Sequence, residues 1–122
     1  TLMTQQAQLT LIEGAGGWRV PLNNRETLAD VAIELNLDVI LVVGMRLGCL
    51  NHSLLTIEAI QRDGLRLAGW VANCIDPQMT SLDANIQSLI SRIPAPLLGT
   101  MPFLGVGEAA PAAWLDDRFF DI

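Results

Sequence analysis

Lysine and tyrosine are absent from this chain of 122 residues, histidine occurs once and cysteine twice. Each scarcity excludes a class of function. Without lysine the phosphate-binding loop G-x-x-x-x-G-K-[ST] cannot be present. Cys49 and Cys74 show no paired spacing, and His52 is the sole imidazole, which argues against a zinc site of the usual Cys/His kind. Free thiols in a reduced compartment are the plain expectation. Seven basic residues stand against thirteen acids, a net charge of −6. That balance argues against nucleic acid as a partner, which wants a basic face. It still admits an anionic ligand, because backbone amides and a metal can hold phosphate without side-chain cations. No run approaches the roughly 18 apolar residues of a membrane span. The longest, residues 39–43 (Val-Ile-Leu-Val-Val), has strand length. No signal-like block is present, so a cytoplasmic location without membrane partners is expected.

Two further absences narrow the chemistry. No G-x-S-x-G elbow occurs, and no G-x-G-x-x-G fingerprint follows a strand, so hydrolase and dehydrogenase readings lack a motif. The chain also opens at Thr1 rather than at methionine, directly ahead of its first expected strand. Joined to the missing phosphate loop, that predicts a fragment, with residues 1–122 one portion of a single α/β domain.

What is present is a regular alternation of apolar runs and amphipathic stretches. Residues 9–13 (Leu-Thr-Leu-Ile-Glu) read as a strand stopped by the glycine-rich turn 14–17. Asn24 is expected to cap a helix reaching Asn36, with Leu28, Val31, Ala32 and Leu35 on one face. Residues 38–44 are apolar on both faces, which predicts a central parallel strand. A loop follows, then a helix to Asp63 with a stripe of Leu50, Leu54 and Ile57, stopped by Gly64. Residues 67–73 are the next strand. Ser81 caps a helix carrying Leu82, Ile86, Leu89, Ile90 and Ile93 as far as Pro94. The proline-bounded 96–102 suits an edge strand. A short helix is expected near residues 111–118. This order predicts right-handed crossovers and a parallel sheet flanked by helices. Every strand then ends on one rim, where Glu13, Gly44, Asn73 and the residues after Thr100 converge.

Several residues on that rim have two readings. Glu13 with its glycines is either a Mg²⁺ ligand beside phosphate-approaching backbone, or a solvated glutamate on a tight turn. The segment Gly48, Cys49, Leu50, Asn51 opens a helix whose amides and dipole suit a carboxylate or phosphate. Alternatively, Asn51 or Ser53 merely caps it. His52 reads as a packed or hydrogen-bonded histidine rather than a catalyst. Asn73 offers one donor and one acceptor to a base edge, or is a turn residue. Residues 101–104 form an apolar wall for a planar ligand, or a closing edge of the core.

Five segments in order give the assembly a family resemblance: 12–18 (IEGAGGW), 39–44 (VILVVG), 47–52 (LGCLNH), 68–73 (AGWVAN) and 93–99 (IPAPLLG). Together they resemble the second half of the dethiobiotin synthetases. The resemblance implies a P-loop NTPase-like, Rossmann-like three-layer α/β fold, here lacking its N-terminal phosphate-loop half, and a homodimer with the site near the subunit interface. It implies the reaction too: 7,8-diaminononanoate and CO₂ give a carbamate, ATP phosphorylates it, and the second amine closes the ureido ring. Carried over by position, Glu13 resembles the Mg²⁺ ligand, with Gly14, Ala15 and Gly16 the adjoining ATP-site backbone. Asn73 and Cys74 match the adenine-recognising pair. Pro102, Phe103 and Leu104 match the segment bordering the base. Gly48, Cys49, Leu50 and Asn51 match the helix start that receives the substrate carboxylate across the dimer.

The family's phosphate loop, its substrate-side lysine and its second Mg²⁺ carboxylate fall outside these residues, so the chain alone is expected to be inactive. Residues 105–122 do not match closely. Two rivals are a related P-loop amidotransferase-type synthetase, such as the cobyrinic acid diamide synthases, and a truncated non-catalytic paralogue serving as a binding or dimerisation module. Leu47 to His52 argues against the first rival. A sheet lacking its first half would also expose the flank of a buried strand, so an oligomer or a partner chain is expected.

Overall fold

A computed structural model describes residues 8–120. Thr1 and the last two residues of the 105–122 tail lie outside them. The described elements run α1 (Leu28–Glu34), β1 (Val39–Met45), α2 (Cys49–Arg62), β2 (Leu67–Cys74), α3 (Leu82–Arg92) and β3 (Leu97–Met101), then a 3₁₀ turn, Asp117–Phe120. The strands form one parallel sheet in the order β1-β2-β3.

The strand buried throughout is β2, not β1. All of β2 is buried except the half-buried Asn73, while β1 lies at the sheet's edge with Val42 60% exposed. Continuous hydrophobicity in residues 38–44 therefore does not mark the central strand here. An apolar flank unpaired in this chain gives the same pattern as burial on both sides. The expectation for β3 holds, since it forms the opposite edge.

One apolar cluster joins Val43 and Met45 of β1, Trp70, Ala72 and Cys74 of β2, Ile57 and Ile60 of α2, and Ile86 and Leu89 of α3. Alternate strand residues share a face, so α2 and α3 cover the same side of the sheet. That is what two successive right-handed crossovers, each moving one strand over, must produce.

Helix ends follow local chemistry. In α2 the buried stripe is Cys49, Ser53, Ile57 and Ile60, one row over from the expected stripe. Its C-terminus closes as anticipated at Gly64 (φ 80°), whose N–H donates to Gln61 O while Leu65 N–H donates to Ile60 O. Those two bonds are a Schellman motif, and buried Leu65 supplies its apolar contact. At α3, Ser81 is the cap position, but its carbonyl is what serves, accepting from both the N–H and the Nδ2 of Asn85. Ile93 is extended (ψ 120°), as a residue before proline must be, and Ile90 is exposed rather than packed.

Three expectations are corrected. First, α1 starts at Leu28, not after Asn24. The Asn23 carboxamide oxygen accepts from the N–H groups of Arg25 and Glu26, which ties residues 23–26 into a turn. Thr27 is then the cap, with its N–H and hydroxyl donating to Asp30 Oδ2 at 2.6 and 3.0 Å. Second, residues 9–13 form no strand. They are exposed and make no backbone ladder, because β pairing needs a neighbour within hydrogen-bonding reach and none of the described strands pairs with them. Third, the short helix expected near 111–118 is a single 3₁₀ turn displaced to Asp117–Phe120. Leu115 instead bridges Gly99 antiparallel, and Asp116 N–H donates to Leu98 O at 2.7 Å, so the tail lies along β3's outer edge.

Candidate functional site

Register places three strand ends together. Gly44 is paired with Asn73, and Asn73 with Met101, so Asn73 sits at the middle of the C-terminal rim. Its side chain is half-buried and hydrogen-bonds no described residue. Pro102 and Phe103 continue from β3, exposed at the same end, with Leu104 half-buried. Cys74 is different. It is 9% exposed and belongs to the apolar cluster, where burial first, and the nearby Asp83 charge second, raise its thiol pKa. A neutral core thiol leaves only the Cys74 backbone for a ligand.

The helix start after β1 is shaped by Gly48, held at φ 96°, a conformation costly for any residue with a Cβ. α2 begins at Cys49, ahead of Asn51 and Ser53, so neither caps it. Cys49 N–H donates to Arg46 O and His52 N–H to Gly48 O. The amides of Leu50 and Asn51 are left for another acceptor at the positive end of a 14-residue helix. The Cys49 side chain is in the core, so this segment can serve a ligand through its backbone and through the exposed Asn51.

A small pocket of about 180 Å³ adjoins this turn, lined in part by Gly44, Arg46, His52, Ser53 and Thr56. His52 is exposed with its ring beside Gly48 and makes no side-chain hydrogen bond among the described residues, so it is neither the buried nor the hydrogen-bonded histidine expected from the sequence. Arg46 and Thr56 were missed by sequence reasoning. Arg46 lies in the loop before α2 and Thr56 on α2 itself, so no periodicity within one element links them in the sequence.

Glu13 is placed elsewhere. With Gly14, Gly16 and Gly17 it lines a groove of about 400 Å³ against Asp38, Val39, Ile40, Leu41 and Val42, along β1 rather than at its end. Ala15 is exposed in the same loop. Because residues 9–13 form no strand, they contribute no end to the rim. No pocket or hydrogen bond among the described residues joins Glu13 to Asn73. The Glu13 carboxylate is exposed and takes no partner among them. No cluster of three or more metal-ligating side chains occurs among the described residues either.

The glycine loop is nevertheless anchored. Trp18 Nε1 donates to Asp63 Oδ2 at 2.7 Å, and the Arg19 guanidinium holds both Asp63 oxygens at 2.8–2.9 Å. The Arg19 hydrogen bond chiefly lowers the Asp63 pKa, helped by Trp18 and the Arg19 and Arg62 charges against partial desolvation. Gly14 is packed so closely on Leu28 that a Cβ there would collide with that side chain.

A parallel sheet covered by helices, with free amides at the head of α2, defines an α/β domain with an anion-accepting rim, and comparison narrows the class. The chain belongs to the AAA domain family, whose model matches residues 1–109. Among individual proteins it is similar to the ATP-dependent dethiobiotin synthetase of Cellvibrio japonicus, 62% identical over 113 residues, covering 92% of this chain and 50% of that protein. The enzyme of the same name from Pseudomonas aeruginosa (strain UCBPP-PA14) is 59% identical over 112 residues, covering 92% and 48%. That of Aromatoleum aromaticum is 56% identical over 108 residues, covering 88% and 48%. The chain spans about half the length of the curated relatives it matches. Among the described residues no helix is long and apolar enough to cross a membrane.

Proposed function

We propose that this chain works as part of an ATP-dependent dethiobiotin synthetase, a cytoplasmic homodimeric ligase that closes the ureido ring of dethiobiotin from 7,8-diaminononanoate, CO₂ and ATP. The observation that carries the reading is 62% identity over 113 residues to an enzyme so named. The rim supplies its geometry. Asn73, central among the strand ends, would present a donor and an acceptor to the adenine edge, with the Cys74 backbone beside it. Pro102, Phe103 and Leu104 would wall the base. The free amides of Gly48–Asn51 would receive the substrate carboxylate, neutralised by the helix dipole.

Glu13 fits a magnesium site of the usual kind. Mg²⁺ is commonly held by one or two carboxylates, with phosphates and water completing the octahedron, so the exposed, unpartnered Glu13 would supply one protein ligand, the second carboxylate coming from outside this chain. When bound, Mg²⁺ supplies charge neutralisation for phosphoryl transfer from ATP. Gly14, Ala15 and Gly16 would offer backbone to the same phosphates. Gly16 and Gly17, at φ 93° and 112°, let that backbone turn without side-chain obstruction. Arg19 and Trp18, locked to Asp63, hold the loop in place.

The test is a full-length chimera in which this chain replaces the matched segment of the Cellvibrio japonicus enzyme. Dethiobiotin formation is expected, and Glu13→Gln in that chimera should lower the rate at least tenfold and raise the Mg²⁺ concentration needed for half-maximal turnover. A folded, dimeric chimera with no turnover sinks the proposal. The 122-residue chain by itself should make no dethiobiotin.

A further inference from the structure

We propose that the base site at the strand ends takes 6-oxopurine nucleoside triphosphates as well as ATP, because one carboxamide, free to turn over, reads the edge of the base. This inference rests on the reading of Asn73 as the base contact and concerns what that contact can discriminate.

The side chains around Asn73 leave the reading to it alone. Its register neighbours are Gly44 on β1 and Met101 on β3, one without a side chain and the other without a side-chain donor. Ile75 lies over Gly44, where a Cβ would run into its side chain. Thr100 is paired with Ala72, so it belongs to the opposite face of the sheet, and Asp76 Oδ1 accepts from the Gln78 N–H. Cys74 also belongs to that opposite face. It is paired with Met45 inside the apolar cluster, where burial favours the neutral thiol. Pro102 has no N–H, and the exposed Phe103 ring offers a base its face rather than a hydrogen bond.

The Asn73 carboxamide is half-buried and hydrogen-bonds no described residue, so none of them fixes which end meets the ligand. Its terminal torsion is broad and roughly two-fold, and a half-turn exchanges acceptor for donor. Adenine carries an amino donor at position 6 beside a ring-nitrogen acceptor. Hypoxanthine and guanine carry an oxo acceptor there, beside a protonated N1. One orientation of the carboxamide serves the first pair and the reverse serves the second. A site rejects an analogue strongly only when the wrong ligand leaves a buried polar group unpaired. Here neither base does.

The probe is inosine triphosphate, which differs from ATP at position 6 and in the proton on N1. Its dissociation constant for the full-length chimera, measured with Mg²⁺ and without the diamine, should lie within about tenfold of that for ATP. Asn73→Ala should weaken both nucleotides alike. Asn73→Asp leaves acceptors only, so it keeps a bond to the 6-amino group and repels the 6-oxo group. The preference for ATP should then widen by about tenfold or more. An ATP preference beyond about tenfold in the unsubstituted chimera overturns the inference. If Asn73→Ala still weakens ATP in that case, the base reading stands and only the freely turning carboxamide is lost. If Asn73→Ala leaves both affinities unchanged, the base reading itself falls, and this inference with it. Should either variant fail to fold, the ratio in the unsubstituted chimera decides.

Discussion

Trp18 Nε1 and Asp63 Oδ2 meet at 2.7 Å across 45 positions of sequence, joining the glycine loop to the C-terminal end of α2. Arg19 adds two contacts to the same carboxylate, whose side chain is only 12% exposed. A charged acceptor serving an indole and a guanidinium is stronger than an ordinary surface pair. Asp63→Asn keeps the shape and removes the charge. It should cost about 1–2 kcal/mol, read as a lower denaturation midpoint with an unchanged slope. Trp18→Phe should cost a similar amount by deleting the donor.

The same cluster gives a pH dependence. The Arg19 hydrogen bond, the largest cause, holds the folded Asp63 pKa below its ordinary 3.8. A depressed carboxylate pKa contributes stability above the unfolded value and loses it as pH falls through the folded one. The stability gap between the wild-type chain and Asp63→Asn should therefore be flat from neutral pH to about 5 and close progressively below about 4. A gap that instead narrows between pH 6 and 8 would contradict this assignment.

Gly99→Ala tests how the tail is held. A Cβ at Gly99 would collide with the Trp114 carbonyl oxygen and crowd Leu115, both backbone, so no side-chain rotation can relieve it. The bond from Asp116 N–H to Leu98 O should be lost, with faster exchange at Asp116 and a cost of about 1–3 kcal/mol. Exchange within β2 should be unaffected.

Trp70 is fully buried at the centre of β2, and its indole N–H has no hydrogen-bond partner among the described residues. An orphaned buried donor costs about 1–3 kcal/mol, which offsets part of the apolar area the ring buries. Trp70→Phe should accordingly destabilise by less than about 2 kcal/mol, against about 3–5 kcal/mol for Trp70→Ala. Equal losses in thermal unfolding would show that the donor is satisfied in solution.

Much of the fold was legible because it rests on short-range signals. Gly64 at the end of α2, Pro94 after α3 and the apolar runs of β1, β2 and β3 each carry their structural cause within a few residues. The errors came where a partner elsewhere decides. Residues 9–13 have strand composition but no neighbour, and residues 38–44 have a central strand's hydrophobicity at an edge. Asn24 looked like a cap, yet Asn23 spends its carboxamide on a turn and leaves the capping to Thr27 and Asp30. At the site, the alignment of Gly44, Asn73 and Met101 followed from strand order. The placing of Glu13 in the groove along β1, away from that alignment, turned on a strand the described residues do not form.

The three tryptophans fall in three separate neighbourhoods: Trp18 on the loop anchor, Trp70 inside the sheet, and Trp114 where the tail meets β3. With no tyrosine in the chain, ultraviolet emission comes from these indoles almost without background. Single-indole versions would therefore report locally, by colour and quenching, on whether loop, interior and tail come apart together or one after another.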